Sequence, residues 1–445
     1  MERLLICIIT ILCFVSGSIG KKGFGPGEQE WGFVKVRPYA NMFWWLYYTT
    51  ADVESYYDKP LIIWLQGGPG VSSTAYGNFE ELGPLDTDLN PRNYTWVKDY
   101  NVLFIDNPVG VGFSTVEATL AFAKTNAQIA SDLLECIRGF YKELPKFKPV
   151  PTYIVTESYG AKMGAEFALV WNRAQKAGTI ESNLKGIVLG AAWISPIDSL
   201  LTWGAYLVCL GVIDSKSFDE IDAVIQKTKN KVFTEKWNEA TRYYIYTQAT
   251  IKHETFNIDF YNILTKKIYT PYSLSLQHLL SFDREALYRH FIQLETKSLD
   301  NLMNGPVKEA LGLNVSHGRQ SSSVFFHLRE DFMKPVTNIV TQLLNETNLY
   351  VFVYVGQLDL YANPLTIVSW FNHVHWADMD HWKNSTRYPI APNRGVIEGF
   401  WKSYNKFTMY WVIRAGHMVP KDNPAAMKEI LKDLITGNHT QMNEN

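Results

Sequence analysis

Ser158, Asp359 and His417 are the side chains in this sequence whose types and surroundings could together run acyl transfer. Ser158 stands in the stretch Thr152-Tyr153-Ile154-Val155-Thr156-Glu157-Ser158-Tyr159-Gly160, an apolar run leading into a serine among small or turn-forming neighbours. The pattern predicts a strand of Tyr153, Ile154 and Val155 that delivers Ser158 onto a sharp turn, with a helix following over Ala161–Val170. The common G-x-S-x-G form is broken, because Thr156 occupies the first glycine position. A serine hydroxyl is a weak nucleophile until a base takes its proton, and that base needs an acid to orient it. Tyr350–Tyr354 leads into Asp359, and Met409–Ile413 leads into His417, so an acid and a base each lie just past a strand-like run. Leu61–Leu65 leads into Gln66-Gly67-Gly68-Pro69-Gly70, a turn whose backbone N–H groups can approach a developing oxyanion closely. Taken alone, that last segment reads first as a plain Gly-Pro strand-to-loop turn.

The elements that must position these groups recur in order. Apolar runs bounded by turn signals lie at Leu61–Leu65, Val102–Ile105, Tyr153–Val155, Gly186–Leu189, Tyr350–Tyr354 and Met409–Ile413, with helical stretches such as Ala121–Leu144 between the early ones. This alternation predicts an α/β class with a mostly parallel central sheet and helices on both faces. Helical periodicity dominates from about residue 200 to 300, which reads as a helical cap inserted in one α/β domain. The expected organisation is therefore a signal peptide at 1–20, a first core part at 21–199, the cap insertion at 200–300 and a second core part at 301–445. The tail from Pro424 through Met427, Ile430, Leu431 and Leu434 reads as an amphipathic helix, with Asp422 and Asn423 as cap candidates.

With 445 residues, a formal net charge of −2 and 47% hydrophobic residues, the chain can bury a large core and has no polyelectrolyte character, which argues against nucleic acid as a partner. Residues 1–20 carry Arg3, the apolar run Leu4–Val15 and small residues at Ser18 and Gly20, the pattern of a secretory signal peptide. No later stretch is apolar for the roughly 18 residues that a membrane span needs. The sequons at Asn93, Asn314, Asn345, Asn384 and Asn438 fit a secretory route and mark glycosylation candidates. Beyond the leader only Cys136 and Cys209 remain, either as a disulfide pair or with Cys136 as a buried free thiol among Ile129, Leu133, Ile137 and Phe140. The cluster His373, His375, Asp378, Asp380 and His381 has ligand types but no familiar metal spacing, and reads as a polar, aromatic surface loop. No metal or other cofactor is expected, since a Ser-His-Asp centre needs none.

Ser158, Asp359 and His417 follow one another in the chain order of α/β-hydrolases. At this point a resemblance is plain: the chain resembles the serine carboxypeptidases of the α/β-hydrolase fold, and among them the retinoid-inducible group. The segments that carry it are Trp64-Leu65-Gln66-Gly67-Gly68-Pro69-Gly70, Phe79-Glu80-Glu81-Leu82-Gly83-Pro84, Asp106-Asn107-Pro108-Val109-Gly110-Val111-Gly112-Phe113-Ser114, Glu157-Ser158-Tyr159-Gly160, Gly356-Gln357-Leu358-Asp359 and Ala415-Gly416-His417-Met418-Val419-Pro420. The resemblance implies Ser158 as nucleophile, His417 as general base and then acid, and Asp359 as the group orienting the imidazole. It also implies an oxyanion hole from the N–H groups of Gly68 and Tyr159, and recognition of a substrate's terminal carboxylate by Gln66, the Gly67 N–H, Glu81 and Glu157. The substrate would be the C-terminus of a peptide or protein.

Two glutamates can hold an anionic chain end only if they are protonated, which burial and mutual repulsion favour, so activity is expected at acidic pH. The chain departs from the wider family at Gln66, where Asn is usual, at Val71, where Cys is usual, and at Thr156 and Ala161, where Gly is usual. Thr156 is expected to crowd the elbow, and Ala161 to narrow helix-to-strand packing. Ester hydrolysis or acyl transfer on the same triad, and a non-catalytic secreted binding protein on the same fold, are the alternatives. The Glu81 and Glu157 pair argues against the former and the intact triad against the latter.

Overall fold

The computed structural model describes residues 21–266, 297–392 and 395–437; the leader at 1–20, Asn438 and part of the 200–300 stretch lie outside the described residues. Among the described residues, eleven strands form one sheet: β1 (Gln29–Arg37), β2 (Ala40–Tyr47), β3 (Leu61–Leu65), β4 (Asn101–Ile105), β5 (Thr115–Val116), β6 (Thr152–Glu157), β7 (Leu184–Gly190), β8 (Tyr350–Gly356), β9 (Arg387–Ile390), β10 (Gly399–Tyr404) and β11 (Phe407–Val412). Their spatial order is β1-β2-β4-β3-β6-β7-β8-β11-β10-β9, with β5 paired to β2. The run from β4 to β11 is parallel throughout, and antiparallel strands close both edges.

The central strands are apolar without interruption because both their faces are covered. Leu61, Ile63 and Leu65 of β3 point into one core and Ile62 and Trp64 into the other. The first core lies under α1 (Asn126–Glu143) and α2 (Tyr159–Lys176), and the second under the helices Ser73–Leu82 and Pro424–Thr436. Helix α1 begins later than the sequence pattern implies, since Thr125 Oγ1 accepts from Gln128 N–H at 3.2 Å and fixes the cap there. Asn423, one of the two expected caps, accepts from Ala426 N–H at 3.1 Å and starts the last helix. Beyond β7 come α3 (Pro196–Cys209), α4 (Ser215–Phe233) and α5 (Trp237–Glu254), which pack on one another. Strands β3, β6, β7, β8 and β11 all end at the same side of the sheet, and chain order reverses around β3, between β4 and β6. Open α/β sheets bind their ligands at such a switch point, outside the carboxyl ends of the strands.

Helix α2 sits so close to β3 that its second residue has to be glycine. A Cβ on Gly160 would lie 2.4 Å from Leu65 O and 3.0 Å from Gln66 O, backbone atoms that cannot swing aside. Gly160→Ala is expected to push α2 off β3, costing about 1–3 kcal/mol, the usual range for overpacking. A thermal unfolding midpoint equal to wild type would contradict this packing.

Candidate active site

Ser158 takes φ 60° and ψ −126°, a region that side chains other than glycine rarely occupy. Backbone bonds hold it there: Ser158 N–H donates to Gly190 O at 2.9 Å, while Ser158 O accepts from Ala161 N–H at 3.0 Å and from Trp193 N–H at 3.1 Å. The turn thus lifts the serine off the end of β6 and starts α2 at Tyr159, whose N–H lies in the first turn, where no intrahelical acceptor exists. The positive end of the helix faces the same place. Gly67 lies against this elbow, since a Cβ on it would be 2.7 Å from Ser158 Cβ and 3.0 Å from Tyr159 N. Gly68, at φ 113°, lines the same cleft as Ser158.

Thr156 does not crowd the turn as expected. Its hydroxyl donates to Val188 O at 2.8 Å on the neighbouring strand, and its methyl fits where Gly164 lacks a side chain, 2.5 Å from the place a Cβ would take. Ala161 is fully buried in the core beneath α2.

The acid and base meet beyond β8 and β11. His417 Nδ1 lies 2.8 Å from Asp359 Oδ2, with both residues buried. Asp359 Oδ1 also accepts from Ala362 N–H at 3.1 Å, which fixes the carboxylate plane, and His417 N–H donates to Tyr261 O at 2.6 Å. A carboxylate on Nδ1 holds the proton there and leaves Nε2 as the basic nitrogen. The rings of Tyr261 and Tyr361 meet the imidazole edge-on at 5.3 and 5.6 Å, and both line the cleft that Ser158 opens into.

Gln66, the first residue after β3, links the two expected glutamates. Its Nε2 donates to Glu81 Oε1 at 3.0 Å and to Glu157 Oε1 at 2.9 Å, while its Oε1 accepts from Trp64 Nε1 at 2.7 Å. The amide therefore cannot flip, and both carboxyls converge on its nitrogen, Glu157 being the residue just before Ser158. Gln66, Glu81 and Glu157 are 4%, 1% and 2% exposed, so solvent does little to stabilise a charge here. Burial pushes the Glu81 carboxyl up to about 7. Glu157 is held well above the usual carboxylate range, first by burial and then by the Glu81 charge. Glu81 itself comes from the wide helix Ser73–Leu82, which closes with Gly83 N–H on Asn78 O at 2.9 Å, an i to i−5 bond.

A further buried acid, which sequence reasoning did not single out, secures the glycine-rich turn. Asp106, at the end of β4, accepts from Ser72 Oγ at 2.6 Å, Thr74 Oγ1 at 2.8 Å, Thr74 N–H at 3.1 Å and Phe113 N–H at 2.9 Å. The walls of the cleft were also not foreseen: Trp193, Tyr244, Tyr261, Phe332 and Tyr361 line it with Gly68 and Ser158. Only Trp193 and Tyr361 had a signal, each a few residues past a strand end. The polar cluster after residue 372 does not converge. His373 Nε2 is 3.3 Å from Asp198 Oδ1, Asp378 Oδ2 accepts from Asn405 Nδ2 at 3.2 Å, and His381 stacks on Tyr404. Cys136 is a buried free thiol on α1 and Cys209 an exposed free one, so the disulfide alternative is set aside.

The serine carboxypeptidase family matches residues 21–437 of this chain. The chain belongs to that family. The chain is a serine-type carboxypeptidase, a hydrolase, as its named relatives are. The chain is 42% identical over 428 residues to the retinoid-inducible serine carboxypeptidase of Rattus norvegicus, covering 94% of each. It is 40% identical over 431 residues to the Homo sapiens protein of that name, covering 95% of this chain and 94% of the relative. A prohormone-processing carboxypeptidase from Saccharomyces cerevisiae superposes with a TM-score of 0.75 at 20% identity, covering 93% of this chain and 92% of that one. That likeness shows the α/β-hydrolase fold for this carboxypeptidase.

Proposed function

We propose that the protein removes residues one at a time from the C-termini of peptides, through an acyl-enzyme on Ser158, at acidic pH and within the secretory pathway, either released from the cell or held in the lysosome. The observation that carries this is the Gln66 amide joined to two buried glutamates beside the serine. With their protons on, Glu81 and Glu157 donate hydrogen bonds to a terminal carboxylate that ionised glutamates would repel. The Gly67 N–H completes the grip, and Gln66 serves it by holding the two carboxyls in place, since both of its amide hydrogens are already donated to them. This places the last peptide bond of the substrate over Ser158, with a free chain end as the condition for binding.

In this reading Ser158 Oγ attacks the carbonyl carbon while His417 Nε2 takes the hydroxyl proton, and Asp359 stabilises the imidazolium that forms. The tetrahedral oxyanion is met by the N–H groups of Gly68 and Tyr159 at the head of α2. The C–N bond then breaks, His417 returns the proton to the leaving amine, and water attacks the Ser158 ester by the same route. No metal or other cofactor takes part. The side chains of Asn93, Asn314 and Asn384 are exposed and open to glycosylation; Asn345 is exposed too, but its Nδ2 donates to His375 O at 2.7 Å, so a glycan there must displace that contact.

A peptide with a free C-terminus, followed by mass spectrometry at acidic pH, is expected to lose single residues in order from that end. The same peptide carrying a C-terminal amide is expected to stay largely intact. Internal cleavage of both would contradict the reading.

A further inference from the structure

Lys162 is a lysine with no exposed surface, on α2 one turn past Ser158, and the acyl-transfer chemistry gives it no part. Its ammonium lies 3.2 Å from Asp331 Oδ2, donates to Lys334 O at 2.9 Å and also donates to Asp331 O. It rests 5.3 Å from the centroid of the Tyr159 ring. Burial pulls its pKa below the ordinary lysine value, and the Asp331 charge opposes that shift. A well-packed apolar residue often serves stability as well as a buried ion pair does. What the charge adds here is direction, because one ammonium grips three oxygens of a single turn.

That turn, residues 331–334, carries Phe332. The Phe332 ring stacks on Tyr159 at 5.6 Å with an interplanar angle of 8°, and it touches Trp193 and Tyr244 at 5.6 and 5.1 Å. It lines the cleft beside Ser158. The Tyr159 ring thus lies against both the ammonium and the Phe332 ring, and its own N–H sits next to the nucleophile.

We propose that Lys162 is a positioning residue for specificity: by clamping the 331–334 turn to the nucleophile-bearing helix, it fixes the Phe332 wall and so sets how well a bulky side chain fits next to the scissile bond. The inference rests on the peptidase reading above. Loss of the clamp lets Phe332 move, so a large side chain loses its fitted wall while a small one loses little.

The test compares kcat/KM for blocked dipeptides carrying Phe or Ala on either side of the scissile bond, in wild type, Lys162→Met and the double variant Lys162→Met with Asp331→Met. The double variant removes both charges together and so leaves no unpaired charge in the core. A fluorophosphonate that labels Ser158 counts active sites, and the Phe-to-Ala ratio is independent of how much protein is folded. That ratio is expected to fall about tenfold at one of the two positions in both variants, within the range that altered pocket packing produces. Ratios equal to wild type at both positions would overturn the role of Lys162. A wild-type protein that turns over none of these dipeptides would instead overturn the peptidase reading, and this inference with it.

Discussion

Ser158→Ala is expected to lower kcat/KM for a blocked dipeptide by at least ~10⁴-fold, because in the proposed mechanism it removes the atom that forms the acyl-enzyme. The loss should come without unfolding, since the elbow is held by the backbone of residue 158 through Gly190, Ala161 and Trp193, and the side chain makes none of those bonds. His417→Ala is expected to cost a similar factor. The double variant should be no worse than either single one, because nucleophile and base act as a unit. Asp359→Asn should also be costly, since the amide can donate to Nδ1 and stabilise the wrong tautomer at the 2.8 Å contact. Substantial turnover by His417→Ala under the same conditions would contradict the assigned roles.

The second large effect is the pH dependence of terminal recognition. Burial raises the folded-state pKa of Glu81 from 4.5 to about 7, and Glu157 lies well above its ordinary value. A raised carboxyl pKa means that the folded protein binds the proton more tightly than the unfolded chain. This contribution to stability is present in full below about 4.5 and is lost as pH rises through about 7. The same deprotonation turns a donor into a repelling charge, so kcat/KM for a free-acid substrate should fall by up to about tenfold per pH unit above that point. Glu81→Gln keeps a neutral donor at every pH and is expected to carry activity further toward the alkaline side. Glu81→Ala should lose the interaction at all pH values, by roughly 1.5–3 kcal/mol, the range for hydrogen bonds to charged groups. A Glu81→Gln profile superimposable on wild type would rule out this carboxyl as the titrating group.

Much of this site is legible in the sequence because it depends on strand ends. Ser158, Asp359 and His417 each follow an apolar run, and parallel strands bring such ends to one side whatever lies between them. The edge strands carry a weaker signal. Trp31, Phe33 and Met42 belong to β1 and β2, yet Gly32 interrupts the first and the second is apolar almost throughout, so neither shows a clean period of two. The tolerance of Thr156 could not be read locally either, because the space it needs comes from Gly164 on the following helix. The same holds for Lys162 and Asp331, which are joined only once α2 packs against the 331–334 turn. The sequence carries both residues, but contact across that separation is a product of tertiary packing.

The central claim is that protonated Glu81 and Glu157, with Gln66, read the free chain end next to Ser158. It is tested most directly by the ratio of kcat/KM for a blocked dipeptide to that for its C-terminal amide, measured across pH. The account predicts a ratio well above one at acidic pH that declines as pH rises through about 7. A ratio near one at every pH, or one that grows toward alkaline pH, would contradict it.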